Sequence, residues 1–195
     1  DQAANMLQGR EGTWVEVTVL APGFQPRNVR VRREQIEVPS VDNVKIVDST
    51  AGVAYLRITC FQKTTSRDVD SALWRLHRDG MKSLIIDVRG NPGGLLTASV
   101  DLVDKFVERG VIVSTRGRSP HEDYNYQAHA NGTWRVPLVV LIDGDSASAS
   151  EIVAGAVRDH QRVVIVGRKT YGKWSVQSIF PIQRNVGLRL TTAKF

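Results

Sequence analysis

Two short segments of this 195-residue chain gather residues whose types and spacing could do chemistry. Residues 87–96 read Asp-Val-Arg-Gly-Asn-Pro-Gly-Gly-Leu-Leu and directly follow a continuous apolar run. A Gly-Asn-Pro-Gly-Gly stretch in that position predicts unusual backbone dihedrals and unobstructed N–H groups, although glycine and proline also build tight strand-to-helix turns that do nothing else. Residues 138–153 read Leu-Val-Val-Leu-Ile-Asp-Gly-Asp-Ser-Ala-Ser-Ala-Ser-Glu-Ile-Val, a strand leading through a small-residue turn into a helix. Small side chains let that backbone approach a ligand closely. Ser148 and Glu151 fit the capping pattern Ser-x-x-Glu, which by itself needs no function. The same geometry sets a hydroxyl beside unpaired N–H groups and the positive end of a helix dipole, where an oxyanion would be stabilised.

A serine nucleophile needs a base. The chain has four histidines: His77 in an early helix, His121 and His129 in a polar loop, and His160 at the end of the helix that Ser148 opens. At 1.5 Å rise per residue that helix holds His160 roughly 18 Å from Ser148, so the two cannot pair within it. The Gly-x-Ser-x-Gly elbow also fails, because Gly144-Asp-Ser-Ala is followed by Ser148. A better base is Lys173, in Lys169-Thr-Tyr-Gly-Lys-Trp-Ser-Val-Gln177. A lysine at its ordinary pKa of about 10.4 cannot accept a proton, but desolvation lowers that value, and Tyr171 and Trp174 could supply apolar walls. Serine–lysine dyads are an established way of activating a nucleophile. The spacing Gly167-x-x-x-x-Gly172-Lys173 imitates a phosphate-binding loop, yet Trp174 stands where Ser or Thr would hold magnesium, and an alternating strand pattern follows instead of a helix. No nucleotide site is expected.

The elements that must position these residues read as mixed α/β. Residues 1–36 read as a short helix and a small hairpin, with Val15, Val17 and Val19 alternating against Glu16 and Thr18, and a returning strand over 28–33. Pro39 and the polar residues 40–43 read as a junction. Strands are predicted at 53–59, 84–88, 111–114, 136–142, 163–166 and 186–192. Helices are predicted at 68–79, 98–107 and 149–160, the first opening on the cap-like Ser66-Arg-Asp-Val and closing at Gly80. Residues 116–136 read as a polar surface loop or lid. Alternating strands and helices argue a layered α/β fold.

The bulk numbers set outer limits. The 42% hydrophobic and 24% charged content is that of an ordinary globular domain. No run approaches the roughly 20 apolar residues of a membrane span. Both ends read as cut, so missing targeting signals say nothing about location. The single cysteine, Cys60, rules out an internal disulfide framework and reads as a buried structural thiol. The net charge of +6 forms no stripe: Arg27, Arg30, Arg32 and Arg33 sit on the wet face of a hairpin and no nucleic-acid recognition module is present.

Taken in order, residues 87–96, the run Ser146-Ala-Ser-Ala-Ser-Glu-Ile-Val-Ala-Gly155, Tyr171-Gly-Lys173 with Val176-Gln177, and residues 188–194 resemble the carboxyl-terminal processing (tail-specific) proteases, serine peptidase family S41. The resemblance covers essentially the whole chain. It implies a crotonase/ClpP-like layered α/β protease core over residues 37–195, truncated at its C-terminal end. It also implies that residues 1–36 are the last helix and strands of a PDZ-like β domain. It implies an endopeptidase acting at or near substrate C-termini, with Ser148 as nucleophile, Lys173 as base and Gln177 orienting the lysine. The family's oxyanion hole falls on the backbone N–H groups of Gly94 and Ala149, and Asp159 matches a family aspartate near the site. No metal or cofactor is implied. Partners would be protein or peptide substrates, with membrane association of the full-length protein and homo-oligomer formation left open. Family members act in the cell envelope, in the periplasm or on the extracytoplasmic face, or in the thylakoid lumen. The family usually has glycine where this chain has Trp174, and an indole there would crowd the scissile bond, shape the specificity pocket or mark a weakened enzyme. The alternative is a peptide-binding or scaffolding homologue that kept the fold and lost catalysis.

Overall fold

The computed structural model describes residues 6–34, 39–118, 120–183 and 186–195. It divides into two compact units, Asp1–Val38 and Pro39–Phe195. In the first, strands β1 (Trp14–Val19) and β2 (Arg27–Arg32) form an antiparallel hairpin in which Val17 faces Val29. Arg33 closes this unit by donating from Nε to the Leu7 carbonyl at 2.7 Å and from Nη1 to the Trp14 carbonyl at 3.1 Å. The helix expected over residues 1–9 lies largely outside the described residues.

The second unit carries the chemistry-bearing segments. Strands β3 (Val41–Asp48), β4 (Val53–Ile58), β5 (Ser83–Asp87), β8 (Leu138–Ile142) and β9 (Val164–Gly167) make one sheet in the order β3-β4-β5-β8-β9. Strands β4, β5, β8 and β9 are parallel, and β3 runs antiparallel along the edge beside β4. A second, antiparallel sheet contains β6 (Val111–Gly117), β7 (Tyr124–Gln127), β10 (Ser175–Gln183) and β11 (Val186–Lys194), in the order β10-β11-β6-β7.

Three helices connect and cover these strands: α1 (Thr65–Arg78), α2 (Leu96–Asp104) and α3 (Ala149–Asp159). The apolar positions of α1 recur at Val69, Leu73 and Leu76, three and four residues apart, so one face is buried. That face meets Leu56, Ile58, Leu84 and Ile86 of the sheet, with Leu102, Val103 and Phe106 and the α3 residues Val153 and Val157 completing the core. Each such side chain, taken out of water, contributes about 1.5–3 kcal/mol to holding helices on sheet.

Two strands and one helix start differ from the sequence expectation. Residues 40–43, read as a junction, lead into and begin β3. Its pairing shifts between Asp42 and Lys45, and Asn43 takes φ 52°, so a bulge breaks the period-two pattern that identifies a strand. Residues 116–136 are not all loop, because β7 pairs with β6 and a 3₁₀ turn spans Pro120–Glu122. Helix α1 begins at Thr65 instead of Asp68: the Thr65 hydroxyl accepts the Gln62 N–H at 2.8 Å and fixes the turn earlier than Ser66 would.

Candidate active site

Strands β5, β8 and β9 are neighbours, and each releases its chain at the same, carboxyl edge of the sheet. That edge is where open α/β sheets gather their ligands. The first segment to leave carries Gly94, the second Ser148 and the third Lys173.

Buried polar groups weld the first two segments together. Asn91 is fully buried; its Nδ2 donates to the Ile58 carbonyl at 2.9 Å and its Oδ1 accepts the Gly93 N–H at 2.8 Å. Its backbone carbonyl accepts from the Ala147 N–H and from the Ser150 hydroxyl, both at 3.0 Å. Ser146, also fully buried, donates its hydroxyl to the Val88 carbonyl at 2.7 Å, while Asp143 Oδ1 accepts the Gly90 N–H at 2.9 Å. Ser146 and Ser150 are therefore spent on structure, and Ser148 alone of the three lines the pocket described below. Gly93 lies so close to the serine turn that a Cβ there would stand 2.6 Å from the Ala147 carbonyl oxygen. A Cβ on Gly94, at φ 146°, would collide with the Phe61 carbonyl.

The orientation of the Gly94 amide follows from its pairing. Phe61 N–H donates to the Gly93 carbonyl at 3.0 Å and Leu95 N–H donates to the Phe61 carbonyl at 2.9 Å, which is one parallel bridge centred on Gly94. In such a bridge the facing residue turns its own N–H away from the partner strand. Among the described residues no group accepts it. The Ala149 N–H is equally unpartnered among the described residues, being one of the leading amides that a helix leaves unpaired.

Ser148 precedes α3 with φ 55° and ψ −113°, a conformation that costs a non-glycine residue about 1–3 kcal/mol. Strain of this kind is held by its surroundings, and here Glu151 supplies much of the holding. Its carboxylate accepts the Ser148 N–H at 2.7 Å, the Gly172 N–H at 2.6 Å and the Lys173 N–H at 2.8 Å. One side chain thus ties the Ser148 turn to the lysine segment. The Tyr171 N–H adds a bond to the Ser146 carbonyl at 3.1 Å.

These segments enclose a pocket of about 490 Å³ lined by Gly94, Ser148, Ala149, Lys173 and Gln177, with Leu95, Ile152, Val176 and Ile179 as apolar walls. Among the described residues no hydrogen bond joins the Ser148 hydroxyl to the Lys173 amine, or that amine to Gln177. The Gln177 Oε1 instead accepts from Arg189 Nε at 2.6 Å.

Residues 52–195 match peptidase family S41. The chain belongs to this family. It is 38% identical to a carboxy-terminal-processing protease of Bartonella bacilliformis, over all of this chain and 45% of that protein. It is 35% identical to a carboxyl-terminal-processing protease of a Synechocystis species, over all of this chain and 46% of that protein. Among solved structures it resembles a photosystem II D1 C-terminal processing protease, with 30% identity and a TM-score of 0.67 over 99% of this chain and 53% of the other. The chain spans about half the length of the curated relatives it matches.

For an S41 chain, five of the residues expected from sequence meet in one place, and Asp159 does not join them. It sits at the far end of α3, well exposed, and pairs with Arg158 at 2.9 Å. His160 is also remote, its Nε2 lying 2.9 Å from the Val111 carbonyl oxygen. Trp174 does not line the pocket: its indole lies under the Lys194 ammonium at 4.4 Å, and its carbonyl accepts the Phe195 N–H at 3.0 Å. Crowding of the reacting bond by this indole is therefore not what the geometry provides.

Sequence reasoning missed Asn91, quoted within a turn motif but given no part, and the second half of Glu151's work. The capping pattern announced Glu151's bond to Ser148; nothing local announces a partner more than twenty residues on. Beneath the site, Asp87 is buried and takes hydrogen bonds from the Tyr55 hydroxyl at 2.7 Å and from the Arg89 guanidinium. Burial pushes its pKa up, but the Arg89 and Tyr55 bonds outweigh that and hold it below the ordinary aspartate value.

Proposed function

We propose that the chain is the catalytic part of a serine endopeptidase that cleaves protein substrates at or near their C-termini, with Ser148 as nucleophile and Lys173 as general base. One observation carries this reading: a serine at a strained helix entrance, a lysine and two unpartnered backbone amides line a single pocket. In the forward step Lys173, neutral, takes the Ser148 hydroxyl proton as the oxygen attacks the scissile carbonyl. The resulting oxyanion receives the Gly94 and Ala149 N–H groups and the positive end of α3. The protonated lysine then gives its proton to the leaving amine, an acyl-enzyme forms on Ser148, and water, deprotonated by the same amine, releases the acid product. Gln177 is assigned to orienting the lysine. Residues 1–36 are read as the end of a PDZ-like domain, and the protein as extracytoplasmic, on family resemblance.

The absence, among the described residues, of a Ser148–Lys173 hydrogen bond is what favours the rival reading of a non-catalytic peptide binder; the peptidase reading takes it as a resting arrangement. Hydrolysis of a peptide carrying a free C-terminus separates the two. The account expects turnover that falls by at least about a thousandfold in Ser148→Ala and in Lys173→Ala, with His160→Ala retaining most of it. Turnover independent of Lys173, or its loss in His160→Ala, contradicts the assignment.

A further inference from the structure

We propose that Arg189 is the receptor for a peptide carboxylate inside the pocket that holds Ser148, so that the site selects substrates bearing that anion. The proposal rests on the peptidase reading of the pocket and names what that pocket recognises. Among the described residues Lys173 and Arg189 are the only charged side chains lining it, and no acidic group does.

The placement of Arg189 is fixed by the hairpin. Arg189 of β11 faces Ile179 of β10, and Gln177 faces Thr191, so Gln177 and Arg189 are diagonal neighbours on one face. Arg189 spends its Nε–H on the Gln177 Oε1 at 2.6 Å. Its two terminal nitrogens have no partner among the described residues. That leaves a planar fork, anchored at its base, whose free end matches a carboxylate's two oxygens. Ile179 and Leu95 line the same pocket and set apolar surface beside the fork.

Binding to the Ser148→Ala protein, which cannot turn over, tests this with three fluorescent peptides that differ only at their C-terminal end. The first ends in a free carboxylate, the second in an amide, and the third in an amide with glutamate as its last residue. At least one carboxylate-bearing peptide is expected to bind on the order of tenfold tighter than the plain amide. Introducing Arg189→Gln is expected to bring that ratio to about one, and Arg189→Lys to keep part of it. Preference for the first peptide alone assigns the anion to the chain terminus; preference shared by the third assigns it to any carboxylate. Equal, measurable binding of all three peptides overturns the proposal without any Arg189 variant, as does a preference that survives Arg189→Gln. Failure of every peptide to bind strikes instead at the pocket's assignment as a peptide site.

Discussion

The Ser148 side and the Lys173 side of the pocket, the proposed nucleophile and base, are built on different principles. Around Ser148 the chain is buried and cross-linked: Asn91, Ser146 and Ser150 are all at 0% exposure, and their hydrogen bonds join the segments after β5 and β8. Around Lys173 the chain is open. Tyr171 is 71% and Ile179 73% exposed, and among the described residues β11 pairs with β6 through Ala193 and Lys194 alone. The lysine segment is held by the Glu151 carboxylate, by the Tyr171 N–H bond to the Ser146 carbonyl and by the Trp174–Lys194 contact. On the proposed reading, the oxyanion donors belong to the buried, cross-linked half and the base to the more exposed one. Preorganised dipoles lower a barrier without reorganising, and that role suits the rigid half.

Disturbing each half separately sharpens this contrast. The largest effect on stability is expected from Asn91→Ala, which strands the Ile58 carbonyl and the Gly93 N–H in a buried place. Chemical denaturation should show a loss of about 2–4 kcal/mol. A loss below about 1 kcal/mol would mean that water or backbone shifts replace those bonds and that the nucleophile side is not rigid.

Glu151→Gln should act on the other half. The amide keeps one acceptor oxygen but turns an N–H₂ toward backbone donors. We expect kcat to fall by about 10–100-fold, KM to move little, and the midpoint of thermal unfolding to drop by only a few degrees. A parallel collapse of stability would make Glu151 a structural cap only.

The smallest effect is a pH dependence beneath the site. Asp87 has its folded pKa lowered, so it binds protons more readily unfolded than folded. Its contribution is present above the unfolded value of about 3.9 and is lost as pH falls through the lower, folded value. The stability difference between the native protein and Asp87→Asn, followed by thermal melts, should be constant above about pH 5 and shrink progressively below it. A difference that grows with acid would reverse the sign and remove the Arg89 pairing as its cause.

The same division governs what the sequence reveals. The rigid half is written in local patterns. Glycines at 93 and 94 flag a close approach, and a serine three residues before a glutamate flags a helix entrance, so the turn at Ser148 is legible from spacing, whereas Gly94 and Ala149 as oxyanion donors are implied by resemblance alone. Lys173 is reached by setting aside the histidines and by its place after the apolar strand at 163–166. What stays hidden is tertiary. The Glu151 bonds to Gly172 and Lys173 and the Arg189 grip on Gln177 depend on how segments far apart in sequence are folded together. Strand β3 is hidden for a local reason, because a bulge at Asn43 interrupts its alternation, and β7 because four residues, Tyr-Asn-Tyr-Gln, are too few to outweigh a polar setting. Asp159 shows the opposite failure: a position that matches a family pattern, yet is carried away from the pocket along the length of α3.

The dependence of Ser148's nucleophilicity on the Lys173 amine is tested most directly by the rate at which a fluorophosphonate labels the protein, with the adduct located by mass spectrometry. The account predicts an adduct on Ser148 that forms at similar rates in the native protein and in His160→Ala and is nearly abolished in Lys173→Ala. Labelling of Lys173→Ala at the native rate, or an adduct on a different serine, would contradict it.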